Sequence, residues 1–256
     1  MVGIYFSGTG NTKHCVEEFV GNIDSDAMVV SIENHDAVKM IENDDIIVLG
    51  YPIYFSNMPK IIQDFILENK NLFKNKKVFI IATMALFSGD GAGCSMRLLK
   101  KYGADVVGGL HLKMPDSIGD EKILKRNISD NKKIVEQTDK KIAIFADRFI
   151  NNNPKQDGFN IFCHAAGLLI QRFWFYNMTV TYKKLPRINP DKCTGCGICA
   201  RVCPTKNMSV TDNVAISGNK CTICYRCFSH CPTKAITILG KKVYEQCRFE
   251  NYKDDV

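Results

Sequence analysis

The sequence has no run of about 18 uncharged apolar residues, so no transmembrane helix is expected. Its first residues, MVGIYFSGTGNT, carry no charged leader and no small-residue cleavage pattern, so no signal peptide is expected either. Catalytic signatures are scarce. There is no Ser/His/Asp set, no pair of carboxylates with a defined role and no zinc-type His motif, which leaves little to support a substrate-processing centre. The isolated His111 and His164 read as core or surface histidines rather than proton donors. No basic helix or RNA-binding signature occurs, so a nucleic-acid partner is not expected.

Cysteine, by contrast, is abundant. Twelve are present in 256 residues, and eight of them fall in two runs, CTGCGICARVCP from Cys193 and CTICYRCFSHCP from Cys221. Each run has the pattern C-x2-C-x2-C-x3-C-P. Thiolates at this spacing wrap three corners of an iron–sulfur cube, while the fourth Cys reaches across to the other cube. The Pro after each fourth Cys turns the chain away. Two intact runs predict two [4Fe–4S] clusters. Crossed ligation assigns Cys193, Cys196, Cys199 and Cys231 to one, and Cys221, Cys224, Cys227 and Cys203 to the other. Cys15, Cys94, Cys163 and Cys247 are scattered singly and read as buried small hydrophobes. This usage is not that of a small disulfide scaffold, so a reducing cytoplasm is expected.

The chain begins with a short apolar run, VGIYF, followed at once by SGTGNT and then by helical spacing at Val16, Phe19 and Val20. Strand, loop of small donors, helix is the layout of a phosphate cradle. Ser7, Gly8, Thr9, Gly10, Asn11 and Thr12 are its candidate residues. The loop is neither G-x4-G-K-[ST] nor G-x-G-x-x-G, because Lys13 falls where the third Gly of the latter should stand. Apolar runs at 27–32, 46–50, 78–82 and 106–114 alternate with helical patterns at 59–67 and 95–102. This predicts a parallel sheet covered on both faces. Ligands of such sheets sit beyond the carboxyl ends of the strands, which singles out 7–12, 51–58 and 83–93.

These stretches carry a resemblance. SGTGNT after the first strand resembles the FMN phosphate loop of flavodoxins. YPIYFSNMP and TMALFSGDG are similar to the two loops that hold the isoalloxazine in that family. The resemblance implies FMN contacts at Pro52, Ile53, Tyr54, Phe55, Thr83, Met84, Phe87 and Gly89, with Tyr54 and Phe87 as stacking candidates. It also implies the short-chain form, since nothing long interrupts the fifth strand. The whole chain resembles fusion proteins of anaerobes that join a flavodoxin-like domain to a bacterial-type two-cluster ferredoxin domain.

The expected architecture is therefore α/β: a doubly wound five-stranded parallel sheet plus a small α+β two-cluster ferredoxin-like domain. The expected divisions are a flavodoxin-like domain at 1–150 and a linker with an apolar docking helix at 151–182. A ferredoxin-like domain follows at 183–240, then a charged tail at 241–256. The net charge of +7 shrinks once cofactors are counted, because two cubes remove about four charges and a phosphate ester up to about two. The expected function is a cytosolic electron carrier or relay between two [4Fe–4S] clusters and FMN, with redox proteins of ferredoxin, hydrogenase or reductase type as partners. An FMN-dependent reductase fed through its own clusters is the alternative, a redox sensor or scaffold a third. A head-to-tail homodimer is left open.

Overall fold

The computed structural model describes residues 1–54, 57–86, 90–159 and 185–253. Five strands form one parallel sheet: β1 (Val2–Tyr5), β2 (Met28–Ser31), β3 (Ile46–Pro52), β4 (Lys77–Met84) and β5 (Asp105–Lys113). Their order is β2-β1-β3-β4-β5, the doubly wound arrangement of flavodoxin-like folds. Helices α1 (Asn11–Gly21), α2 (Asp36–Asn43), α3 (Lys60–Glu68), α4 (Gly91–Lys101) and α5 (Ile128–Ile150) connect or cover it. The strands read as continuous apolar runs because alternate residues feed two cores. Val78, Ile80 and Ala82 of β4 join the core on one face with Ile47 and Leu49. Phe79 and Ile81 join the core on the other face with Val16, Phe19 and Val48. Covering both faces is what period-2 side chains require of a parallel sheet.

Residues 120–150 are rich in charge and read as helical from the sequence, but α5 covers only their later part. It begins at Ile128, where the Asn127 side chain accepts the backbone N–H of Asp130 at 2.7 Å and caps the first turn. Ile134 and Ile142 face inward, with Phe145 and Phe149 half-buried beside them. Residues 153–158 lie along the β5 edge, Gly109 donating to the Lys155 carbonyl and Asp157 to the Gly109 carbonyl. The apolar docking helix expected after this point, with His164 and Cys163, lies outside the described residues.

The cysteine-rich unit is built from short pieces around its ligands: β6 (Arg187–Ile188) pairs antiparallel with β9 (Ile236–Thr237). The hairpin of β7 (Met208–Thr211) and β8 (Val214–Ser217) turns at Asp212 and Asn213, both at positive φ, as a two-residue type I′ turn requires. One-turn helices α6 (Ile198–Arg201) and α7 (Arg226–Ser229) each contain the third cysteine of a run, Cys199 and Cys227. The charged tail does not hang free. Phe249 and Tyr252 are buried in the α1–α5 side of the sheet core, and Phe249 stacks on His14 at 4.2 Å.

Candidate functional site

The carboxyl ends of β1, β3, β4 and β5 open on one cavity of about 1040 Å³, counting the space at its mouth. Ser7, Gly8, Thr9, Asn11 and Thr12 line it from the first loop, Pro52, Ile53 and Tyr54 from the third strand end, Thr83 and Met84 from the fourth. Gly10 backs the loop at φ 100, a left-handed conformation that opens α1 and that glycine adopts at least cost. Phe55, Phe87 and Gly89 lie outside the described residues. The first-turn N–H groups of α1 have no intrahelical acceptor by helix geometry, and two residues of that turn, Asn11 and Thr12, line this cavity.

Hydroxyl and amide groups knit the strand ends together. Thr12 and Thr83 share a hydrogen bond of 2.7 Å between their hydroxyls, and Thr9 and Ser117 one of 2.8 Å. The Asn11 amide donates to the Pro115 carbonyl at 2.8 Å. Asn11 Oδ1 is buried and finds no protein donor, so the cavity holds a polar acceptor suited to a hydroxyl-bearing ligand. Burial pushes the Tyr54 hydroxyl and the Asp116 carboxyl up from their usual ranges.

Two parts of this wall escape a reading by motif. Met114, Pro115, Asp116, Ser117 and Ile118 come from the end of β5, a position that the carboxyl-end rule alone would have flagged. Ile223, Tyr225 and Leu239 come from the cysteine-rich unit. A signal for them does exist in the repeat. Aligning the two runs sets Gly195 and Gly197 against Ile223 and Tyr225. All four residues have left-handed backbone, φ 65 and 72 for the glycines, 56 and 58 for Ile223 and Tyr225. A non-glycine there costs about 1–3 kcal/mol each, and in this chain both side chains wall the cavity. Tyr225 is held by its hydroxyl, which donates to Asp120 at 2.7 Å; the other Asp120 oxygen accepts the Ile238 N–H at 2.6 Å.

The eight cysteines of the two runs separate into two further cavities. Cys193, Cys196, Cys199 and Cys231 line one, and Cys203, Cys221, Cys224 and Cys227 line the other. Backbone N–H groups point at the sulfurs: Ala215 to Cys193 at 3.3 Å, Asn207 to Cys203 at 3.1 Å, Ala235 to Cys231 at 3.3 Å, Ile223 to Cys221 at 3.4 Å. Four thiols per cavity with N–H···S bonds suit an iron–sulfur cluster. Burial pushes the thiols of Cys221, to about 11, and of Cys224 and Cys227 up. Holding them as thiolates would call for positive charge within the cavity, which the iron of a bound cluster would supply. Tyr225 lines both this second cavity and the larger one.

Among the described residues the remaining thiols, Cys15, Cys94 and Cys247, are buried. His111 lies on β5 away from the cavity lining, its ring lowered to about 4 by burial and hence neutral at pH 7.

Residues 3–107 match the family model of the flavodoxin domain, and residues 186–208 match that of the 4Fe-4S binding domain. The chain joins a flavodoxin domain to a 4Fe–4S domain. The second cysteine run lies beyond the matched part of the 4Fe–4S domain. Among solved structures, two-electron reduced Megasphaera elsdenii flavodoxin is 28% identical over 45% of this chain and 89% of its own, with a TM-score of 0.41. Fusobacterium nucleatum flavodoxin bound to flavin mononucleotide is 20% identical over 59% and 96%, TM-score 0.41. Oxidised Flavodoxin 2 from Bacillus cereus is 20% identical over 59% and 97%, TM-score 0.44. No curated protein matches the chain. Flavodoxin and 4Fe–4S domains both serve electron transfer, and this chain has an electron-transfer role; redox partners follow from it. Among the described residues no helix is long and apolar enough to cross a membrane.

Proposed function

We propose that this chain is an electron relay, with FMN in the junction cavity and one [4Fe–4S] cluster in each cysteine-lined cavity. A flavin handles one or two electrons when bound and each cluster handles one. The observation that carries the reading is the shared wall: Tyr225 borders the large cavity on one side and the Cys203/Cys221/Cys224/Cys227 cavity on the other. The inner cysteine cavity therefore abuts the flavin site within one chain, with no partner chain needed to complete it. The other cysteine cavity reaches the surface at the exposed Cys196, which suits exchange with an external redox protein.

The phosphate of FMN falls to the 7–12 loop and the start of α1, where N–H groups and hydroxyls are concentrated. Pro52, Ile53, Tyr54, Thr83 and Met84 fall to the ring, and Ile223 closes its far side against water. The test is anaerobic and direct. A reduced one-electron protein donor is expected to bleach the flavin absorbance without any oxidation of NAD(P)H. Saturable turnover that depends on a small molecule would favour the reductase alternative instead.

The wall residues make a sharper demand. Ile223→Gly removes a side chain at a backbone position that suits glycine, so the fold and the iron content are expected to survive. Iodide quenching of the flavin fluorescence should rise, because the wall has been opened. Unchanged quenching would remove Ile223 from the flavin site.

A further inference from the structure

The phosphate loop is held from outside by the cysteine-rich unit. Arg226, between Cys224 and Cys227, donates from Nη2 to the Ser7 carbonyl at 2.6 Å. Its guanidinium is fixed in turn by Glu33 just beyond β2, with two bonds of 2.7 Å, and by the Val202 carbonyl at 3.3 Å. It also lies over the Phe6 ring, 5.6 Å from the centroid. Phe249 donates its N–H to the Thr9 carbonyl at 2.8 Å. A planar trans peptide carries its N–H opposite its C=O. Pinning the Ser7 carbonyl outward therefore turns the Gly8 N–H to the other side of the loop. Arg226 itself does not line the junction cavity; it borders the hollow on the opposite side of the loop, with Lys13, Glu33 and His230. Its charge is matched by Glu33, so it is not placed as a direct phosphate ligand.

We propose that Arg226 is a positioning residue that sets the phosphate-binding shape of residues 7–10, so that affinity for the phosphate of FMN depends on the cluster-bearing segment 221–227. The inference rests on the flavin reading of the junction cavity. Because coupling is reciprocal, a bound phosphate steadies the same segment.

Riboflavin, which lacks the phosphate, separates this role from a merely structural one. Dissociation constants for FMN and riboflavin would be measured by flavin fluorescence on full-length protein freed of flavin with its clusters retained. For Arg226→Gln the FMN constant is expected to rise about tenfold, while the riboflavin constant and the iron content stay as in the wild type. Glu33→Gln leaves Arg226 in place but loosens its anchor. It carries the test should the first variant fail to fold, with an expected FMN-only loss of about threefold. Equal losses for both ligands, or an unchanged FMN constant, would overturn the inference alone. A wild-type protein that binds neither flavin would overturn the flavin reading, and this inference with it.

Discussion

Removing Cys203 together with Cys221 is expected to leave about four iron per chain, whereas removing Cys203 together with Cys199 leaves almost none. The wild type should hold about eight. The reason is the way the cavities divide the two runs. Cys203 ends the first run but lines the cavity formed by Cys221, Cys224 and Cys227, and Cys231 ends the second run but lines the cavity of the first three thiols. Cys203 and Cys221 thus empty a single cavity, while Cys203 and Cys199, neighbours in one run, empty one each. If each run held its own cluster, the two double variants would exchange outcomes. Iron and sulfide analysis on anaerobically purified variants decides between them. Apart from the count, the experiment identifies the cluster beside the proposed flavin site, because of the two cysteine cavities Tyr225 lines the one of Cys203, Cys221, Cys224 and Cys227 and not the other.

The same loss tests the direction of the relay. Without Cys203 and Cys221 the outer cavity keeps its four thiols and its exposed Cys196, but nothing redox-active stands between it and the flavin. Flavin bleaching by a one-electron protein donor should slow sharply while the outer cluster is still reduced. A donor that reached the flavin directly would be indifferent to the change.

What could be read from the sequence was what lies contiguous in it. The thiol spacing needs eight residues at fixed offsets, and the phosphate loop needs six in a row. The strands were legible as apolar runs because a sheet covered on both faces leaves no polar alternation to confuse the period, whereas their order β2-β1-β3-β4-β5 came with the fold. The parts that stayed hidden depend on docking. Phe249 and Tyr252 are two aromatics in a charged tail, and only the folded chain shows them sealing α1 and bracing Thr9. Asp120 is one charge among many in the stretch after β5; in the fold it is buried and clamps Tyr225 and Ile238. Ile223 and Tyr225 were half-legible, since the first run offers glycine at both matching positions.

Gly8→Ala is expected to be among the most disruptive single-atom-group changes in the chain. A Cβ built at Gly8 falls on the backbone carbonyl oxygen of Cys224 and crowds its carbon at 3.1 Å. Neither side can give easily. Gly8 belongs to the loop whose Ser7 carbonyl is gripped by Arg226, and Cys224 lies between Ile223 and Tyr225, both already at positive φ. Overpacking of this kind costs about 3 kcal/mol, which for a chain of this length lowers the apparent Tm by about 6–12 °C. Flavin retention should fall in the same variant, because the only relief is to part the phosphate loop from the cysteine-rich unit. Gly21→Ala provides the contrast: no atom lies within 4 Å of the added Cβ, and the position ends α1. There alanine is expected to be neutral or to raise stability by about 0.5 kcal/mol. Thermal unfolding followed by circular dichroism, with flavin content measured after gel filtration, reads both effects. A Gly8→Ala protein that melts with the wild type and keeps its flavin would mean that the two units do not pack as closely as the Gly8–Cys224 contact demands.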